Sequence, residues 1–349
     1  MVLSKPHLRQ AQNRWWQFCE RPYKIIIYFL FSMNKYLFYF LTVISFLNCS
    51  YRNSSNISPI AKNYIDEVIT LLKNNSINRN KINWEDFRND VYRHAKGSKT
   101  IENTYPTITY ATTKLEDNHS YFAANIVSQD TSDLAPLPIL LDEIVPENIG
   151  YIRIGFCMGD EQLKKNYINS VKDKMAKQDK INLKGWIVDL RGNFGGDIVP
   201  MLVAVGPILG EGVLGYFFYP DSSFYTWNYK NGYLYDENGI WEQSTNTYHL
   251  KSPNPYVAIL TDNITASSGE AVTIAFKGRS KTKSFGTQTF GVSTCNRVHT
   301  LSDGSRINLT VSVFADRNRT KYGNCVYPDV KCDENKTLEE AINWILKQN

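Results

Sequence analysis

The sequence predicts an α/β fold built on a mainly parallel sheet with flanking helices, and two observations predict it. Three short apolar runs, "GYIRIGF" (Gly150–Phe156), "KGWIVDL" (Lys184–Leu190) and Tyr256–Asp262, have the length and continuity of buried strands. Each precedes a helix-like stretch, respectively Glu161–Gln178, Ile198–Leu209 and Ala266–Phe276. Successive strand–turn–helix units favour parallel strands with helices packed on the sheet faces.

The rest of the chain is read in order. Ile25–Leu47 is almost wholly apolar and long enough, at about 20 residues, to cross a bilayer, although Asn34–Lys35 interrupts it. Two readings follow. In one, the run is a transmembrane anchor with Lys5, Arg9, Arg14, Arg21 and Lys24 on the cytoplasmic side. In the other, Met33 is the true start, Tyr36–Leu47 is a signal core and Cys49 in "FLNCS" is a lipidated first residue. Both place the body outside the cytoplasm, with residues 1–49 as anchor or lipoprotein signal. Residues 50–58, rich in Asn and Ser, form a polar tether.

Residues 59–122 are expected to form an N-terminal helical cap. Ile60, Tyr64, Val68, Leu71 and Leu72 recur at helical spacing, Asn83 caps a second helix reaching Ala95, and Tyr105–Leu115 suits a third. The main body is expected over residues 149–349. Within it, Arg297–Leu301 and Arg306–Phe314 flank Asp303–Gly304 as a hairpin. Thr337 and Glu340 read as the capping box of a last helix.

Composition removes several classes of function. With 349 residues, a formal charge of +5 and no Lys/Arg block, the chain is a poor nucleic-acid binder. Six cysteines are too few for a disulfide scaffold, and none falls in a CxxC or Cys/His spacing, so no metal or other cofactor is expected. Cys325 and Cys332 are near enough in sequence to pair in an oxidising compartment.

Three stretches could carry chemistry. In "TASSGE", Ser267 and Ser268 lie where a strand turns into a helix, and free N–H groups at a helix start stabilise a developing oxyanion. On this stretch alone, plain helix capping is the favoured reading of the serines. In "DLRGNFGGD", Gly195 and Gly196 let the backbone approach a ligand, or simply close a tight turn. In "KLEDNHSYF", His119 is the one of five histidines that lies between a helix and an apolar segment, beside Asp117 and Ser120.

Taken together these motifs, followed by "SFGTQTFG" and "YPDV", resemble in content and order the tail-specific, or C-terminal-processing, serine peptidases. Within that group the chain looks most like the short membrane-anchored nisin-resistance type. The resemblance implies a crotonase-like core of ββα units. It departs from many members in having only about thirty residues between His119 and the Gly150 strand, too few for a PDZ domain. It departs again at "TFGVST", where Val292 stands at the position of the family's catalytic lysine.

The resemblance then implies an extracytoplasmic serine endopeptidase acting near the C-termini of peptide or protein substrates. Ser267 matches the nucleophile, and His119 serves as the base in place of the lysine. Backbone N–H groups of Ser268 and of Gly195 or Gly196 would hold the oxyanion. The residue orienting His119 is left open among Asp117, Asn118 and Asp316. Activity should rise with pH near an ordinary histidine value of about 6.5. The alternative is a catalytically silent carrier of a hydrophobic ligand on the same fold, for which the 13% aromatic content is suited.

Overall fold

A computed structural model of the chain describes residues 57–125, 140–244 and 247–348. The apolar leader, Cys49 and nearly all of the tether lie outside the described residues. Among the described residues no helix is long and apolar enough to cross a membrane.

Three helices open the described chain. α1 (Pro59–Asn75) starts with proline at N1 and is capped by Ser58, whose hydroxyl accepts the Ala61 N–H. α2 (Trp84–His94) is capped by Asn83, as its sequence suggests. α3 (Tyr105–Thr113) is a helix despite its β-branched residues, because Ile108 and Ala111 are packed inside. Their buried faces, including Ile65, Val68 and Leu72, cover Leu301, Ile307, Leu309 and Val311 in a single apolar cluster.

The sheet expectation needs correction. β1 (Tyr121–Ala123), β4 (Gly212–Phe218), β5 (Phe224–Lys230), β6 (Tyr233–Asp236), β7 (Gly239–Gln243), β10 (Thr294–Thr300) and β11 (Arg306–Asp316) make the larger, seven-stranded sheet. All its pairings are antiparallel. The fold is therefore α/β with mixed sheets, and the mainly parallel reading fails. The cause is local turn chemistry in the stretch 212–243, where no strand–helix unit occurs. Asn231 and Gly232 sit at positive φ (48° and 83°) between paired Lys230 and Tyr233, the backbone that closes a two-residue hairpin.

The strand–turn–helix units do form the smaller sheet. β2 (Ile149–Arg153), β3 (Gly185–Asp189), β8 (Val257–Thr261), β9 (Thr282–Gly286) and β12 (Val330–Lys331) run parallel in the order β12-β9-β8-β3-β2. β3 and β8 are buried along their whole length, as strands covered on both faces must be. α4 (Glu161–Gln178), α5 (Ile198–Leu209) and α6 (Ser268–Phe276) share one core with Ile152, Val188 and Ile259. On the other face, Ala341 and Ile345 of α7 (Thr337–Leu346) join Ile187, Ala258 and Leu260. Thr337 is not a cap: it lies inside α7 and its hydroxyl donates to Asp333 O. The loops leaving β2, β3 and β8 converge at the carboxyl ends of the parallel strands.

Candidate active site

The turn after β8 is built around the Asp262 carboxylate. It accepts N–H groups from Ile264, Thr265 and, across the sheet, Gly192 of the glycine-rich loop. Thr265 Oγ1 donates to Leu190 O at 3.0 Å, and the Ala266 N–H donates to Asn193 O at 2.9 Å. The turn after β8 is thus fastened to the loop after β3 before the chain reaches the serines.

The two serines have different surroundings. Ser267 is the N-cap of α6 and adopts φ 51°, ψ −115°, a conformation that a side-chain-bearing residue enters only under constraint. Ser268 begins the helix, is buried, and spends its hydroxyl on Gly196 O at 2.6 Å. A Cβ added to Gly195 would stand 2.9 Å from Ser267 Cβ and 3.4 Å from its Oγ, so the loop backbone comes directly against this serine. Gly195 has φ +115°, which favours glycine independently of the space. The Gly195 N–H, however, donates to Asn193 Oδ1 at 2.9 Å.

Glu270, one turn into α6, holds the surroundings together. Its buried carboxylate accepts N–H groups from Ser267 (2.9 Å), Gly291 (3.0 Å) and Val292 (2.9 Å), and the Thr289 hydroxyl. Burial raises its pKa while these donors oppose the shift. Val292, where the resemblance would place a lysine, is buried and gives its amide to this carboxylate.

His119 lies in the loop between α3 and β1. Asp117 shapes that loop, accepting the N–H groups of His119 (3.0 Å) and Ser120 (2.7 Å) and the Ser120 hydroxyl. His119 O accepts from Asn296 Nδ2 at 3.1 Å. Its ring Nδ1 lies 2.8 Å from Thr294 Oγ1 at the start of β10. When Nδ1 donates to Thr294, Nε2 carries the free lone pair. Burial lowers the His119 pKa to about 4, with the Asp117 charge pulling the other way. The ring is therefore neutral near pH 7, as a proton acceptor must be.

Thr294 is the partner that sequence reasoning missed. Asp117 touches the histidine backbone rather than its ring; Asn118 is exposed at φ 55°. Asp316 serves the turn after β11, accepting from Asn318, Thr320 and Tyr322. A lone threonine carries no sequence signal. Glu270 did carry one, since the S-x-x-E spacing marks a helix start.

The structure brings Gly195 and Gly196 against Ser267 and Ser268, whereas His119 and Ser267 share no direct hydrogen bond. Glu270 connects them: it binds the Ser267 N–H and the Val292 N–H, two residues before the threonine that holds His119. Among the described residues no group of three or more His, Cys, Asp or Glu is placed to hold a metal. Cys157, Cys295, Cys325 and Cys332 are free thiols, so Cys325 and Cys332 do not pair.

The family model of peptidase family S41 matches residues 148–332. The chain belongs to peptidase family S41. The matched span of this S41 chain includes Ser267, Glu270 and the glycine-rich loop, and begins after His119. The nisin-resistance protein of Lactococcus lactis subsp. lactis is 33% identical over 193 residues, covering 54% of this chain and 58% of that protein. The chain thus spans little more than half the length of that relative. Among solved structures, a lipoprotein from Streptococcus agalactiae superposes with a TM-score of 0.68 at 24% identity, covering 83% of this chain and 98% of the other. The photosystem II D1 C-terminal processing protease gives 0.55 at 16% identity, covering 82% and 97%. These two likenesses show a shared fold.

Proposed function

We propose that this S41 chain is an extracytoplasmic, membrane-anchored serine endopeptidase of the nisin-resistance type, cutting peptides near their C-termini. Ser267 Oγ attacks the peptide carbonyl carbon as His119 Nε2 takes its proton. The tetrahedral oxyanion is held by the Ser268 N–H, which as the first amide of α6 has no intrahelical acceptor, and by the Gly196 N–H. Collapse breaks the C–N bond, and the amine leaves with the proton returned by His119. Water, deprotonated by His119, then attacks the acyl-enzyme ester and frees Ser267.

The observation that carries this reading is the backbone of Ser267: a non-glycine residue at positive φ, at a helix N-terminus, pressed against Gly195. Capping alone does not need that strain. The missing direct bond to His119 fits a site whose hydrogen bonds tighten when substrate binds. Membrane anchoring, through a transmembrane helix or a lipid on Cys49, rests on the apolar run Ile25–Leu47. Family membership and a relative named for nisin resistance support a peptide substrate.

A fluorophosphonate probe tests the mechanism. The wild-type protein should be labelled on Ser267, and the Ser267→Ala and His119→Ala variants should not. Labelling on Ser268, or none on a folded wild-type protein, refutes the reading; the second result leaves the ligand carrier.

A further inference from the structure

Asn193 is fully buried in the middle of the glycine-rich loop, and its backbone and side chain are both engaged. Its N–H donates to Leu190 O at 3.0 Å, and its carbonyl accepts the Ala266 N–H at 2.9 Å. Oδ1 accepts the Gly195 N–H at 2.9 Å. Nδ2 donates to Ile154 O at 3.0 Å and Gly155 O at 3.3 Å, and lies 3.6 Å from Met201 Sδ. One residue therefore joins the chain leaving β2, the loop leaving β3, the turn leaving β8 and helix α5. Gly269 shows how tight the join is, since a Cβ there would stand 2.7 Å from Asn193 O.

An asparagine that only closed a turn would need the Oδ1 to N–H bond and nothing else. Here the amide nitrogen reaches the chain leaving β2, and the backbone carbonyl reaches the residue before Ser267. The bond to Gly195 has a chemical consequence. It withholds the one loop amide that belongs to the residue touching Ser267.

We infer that Asn193 is the positioning residue of the oxyanion hole: it fixes the glycine loop against Ser267 and withholds the Gly195 N–H, leaving that of Gly196 as the loop donor. The inference rests on the serine-peptidase reading above. Its role is indirect, through the amides it aims, and it touches no substrate atom.

The test separates the maximal rate of fluorophosphonate labelling from the probe concentration giving half that rate. In Asn193→Ala the maximal rate should fall about a hundredfold, the scale of losing one hole donor, with half-saturation nearly unchanged. Asn193→Ser keeps an oxygen able to accept the Gly195 N–H, and should recover to within about tenfold of wild type. Equal losses in both variants, a maximal rate unchanged in Asn193→Ala, or an effect confined to half-saturation would each overturn the inference. If Asn193→Ala does not fold, Asn193→Ser decides alone: with a wild-type melt, a hundredfold loss overturns it and a loss within about tenfold supports it. An unlabelled wild-type protein sinks the peptidase reading instead, so the two failures are distinct.

Discussion

Thr294→Val is the substitution that isolates the orientation of His119. Valine nearly matches threonine in volume but removes Oγ1, which lies 2.8 Å from Nδ1 of the ring. Thr294 is itself buried, so water does not readily replace the lost hydroxyl. A buried donor left without a partner costs about 1–3 kcal/mol, which is roughly 5- to 150-fold in an equilibrium or a rate. On the proposed mechanism the cost falls on the tautomer and ring angle that would present Nε2 to Ser267, so it should appear in kcat with KM little changed. The assay is steady-state cleavage of a peptide chosen by mass-spectrometric profiling, with thermal melting to confirm folding. Thr294→Ser restores the hydroxyl and should return most of the rate. A folded Thr294→Val enzyme with wild-type kcat, or a serine variant as slow as the valine one, refutes this role for Thr294.

Three further outcomes are expected. Ser267→Ala should lose on the order of 10⁶ in kcat, while Ser268→Ala keeps its amide and most of the rate. Ser268→Ala should instead lose about 1–3 kcal/mol of stability by leaving Gly196 O without its donor, and unchanged melting would contradict that. The pH profile should depart from the histidine value the sequence suggests: because burial lowers the His119 pKa to about 4, the acid limb of kcat/KM should lie near there rather than near 6.5. The native state then binds this proton later than the unfolded chain. The resulting stability is complete above about 6.5 and is lost as pH falls through about 4. Asp117→Asn removes the opposing charge and should move the limb lower still; a limb that stays near 6.5 denies the burial. Glu270→Gln puts a donor among three N–H groups and a hydroxyl, so melting temperature and kcat should both fall, and an unchanged melt would show that the carboxylate is not the tie.

What the sequence makes legible is what depends on near neighbours. Glu161–Gln178 and Ile198–Leu209 are helices over those very residues, because apolar spacing and Asp caps act within a few positions. Three of the five parallel strands, β2, β3 and β8, read correctly for the same reason, because continuous apolar runs mean burial on both faces, whereas β9 and β12 went unread. The meander of β4–β7 escaped because its strands are aromatic and alternate poorly, and only the Asn-Gly pairs Asn231–Gly232 and Asn238–Gly239 betray it. In the site, Ser267 and the glycine loop were legible as local motifs. Thr294 and Asn193 act through contacts that only the folded chain creates, the first 175 positions away from its partner.

That distance along the chain has a consequence for how such a protein is made. His119 meets Thr294 across 175 residues, Ser120 meets Thr310 across 190, and Tyr105 meets Asp303 across 198. At about 5–20 residues per second of synthesis, the histidine waits roughly ten to thirty seconds for the strand that aims it. For all but the last stretch of that interval the chain has not yet reached Ser267, so the proposed base and nucleophile do not coexist on it. On the proposed mechanism, such a chain cannot cut a peptide until nearly all of the sequence up to Thr294 has been made. The spacing of these residues thus sets the earliest moment at which the proposed site can assemble.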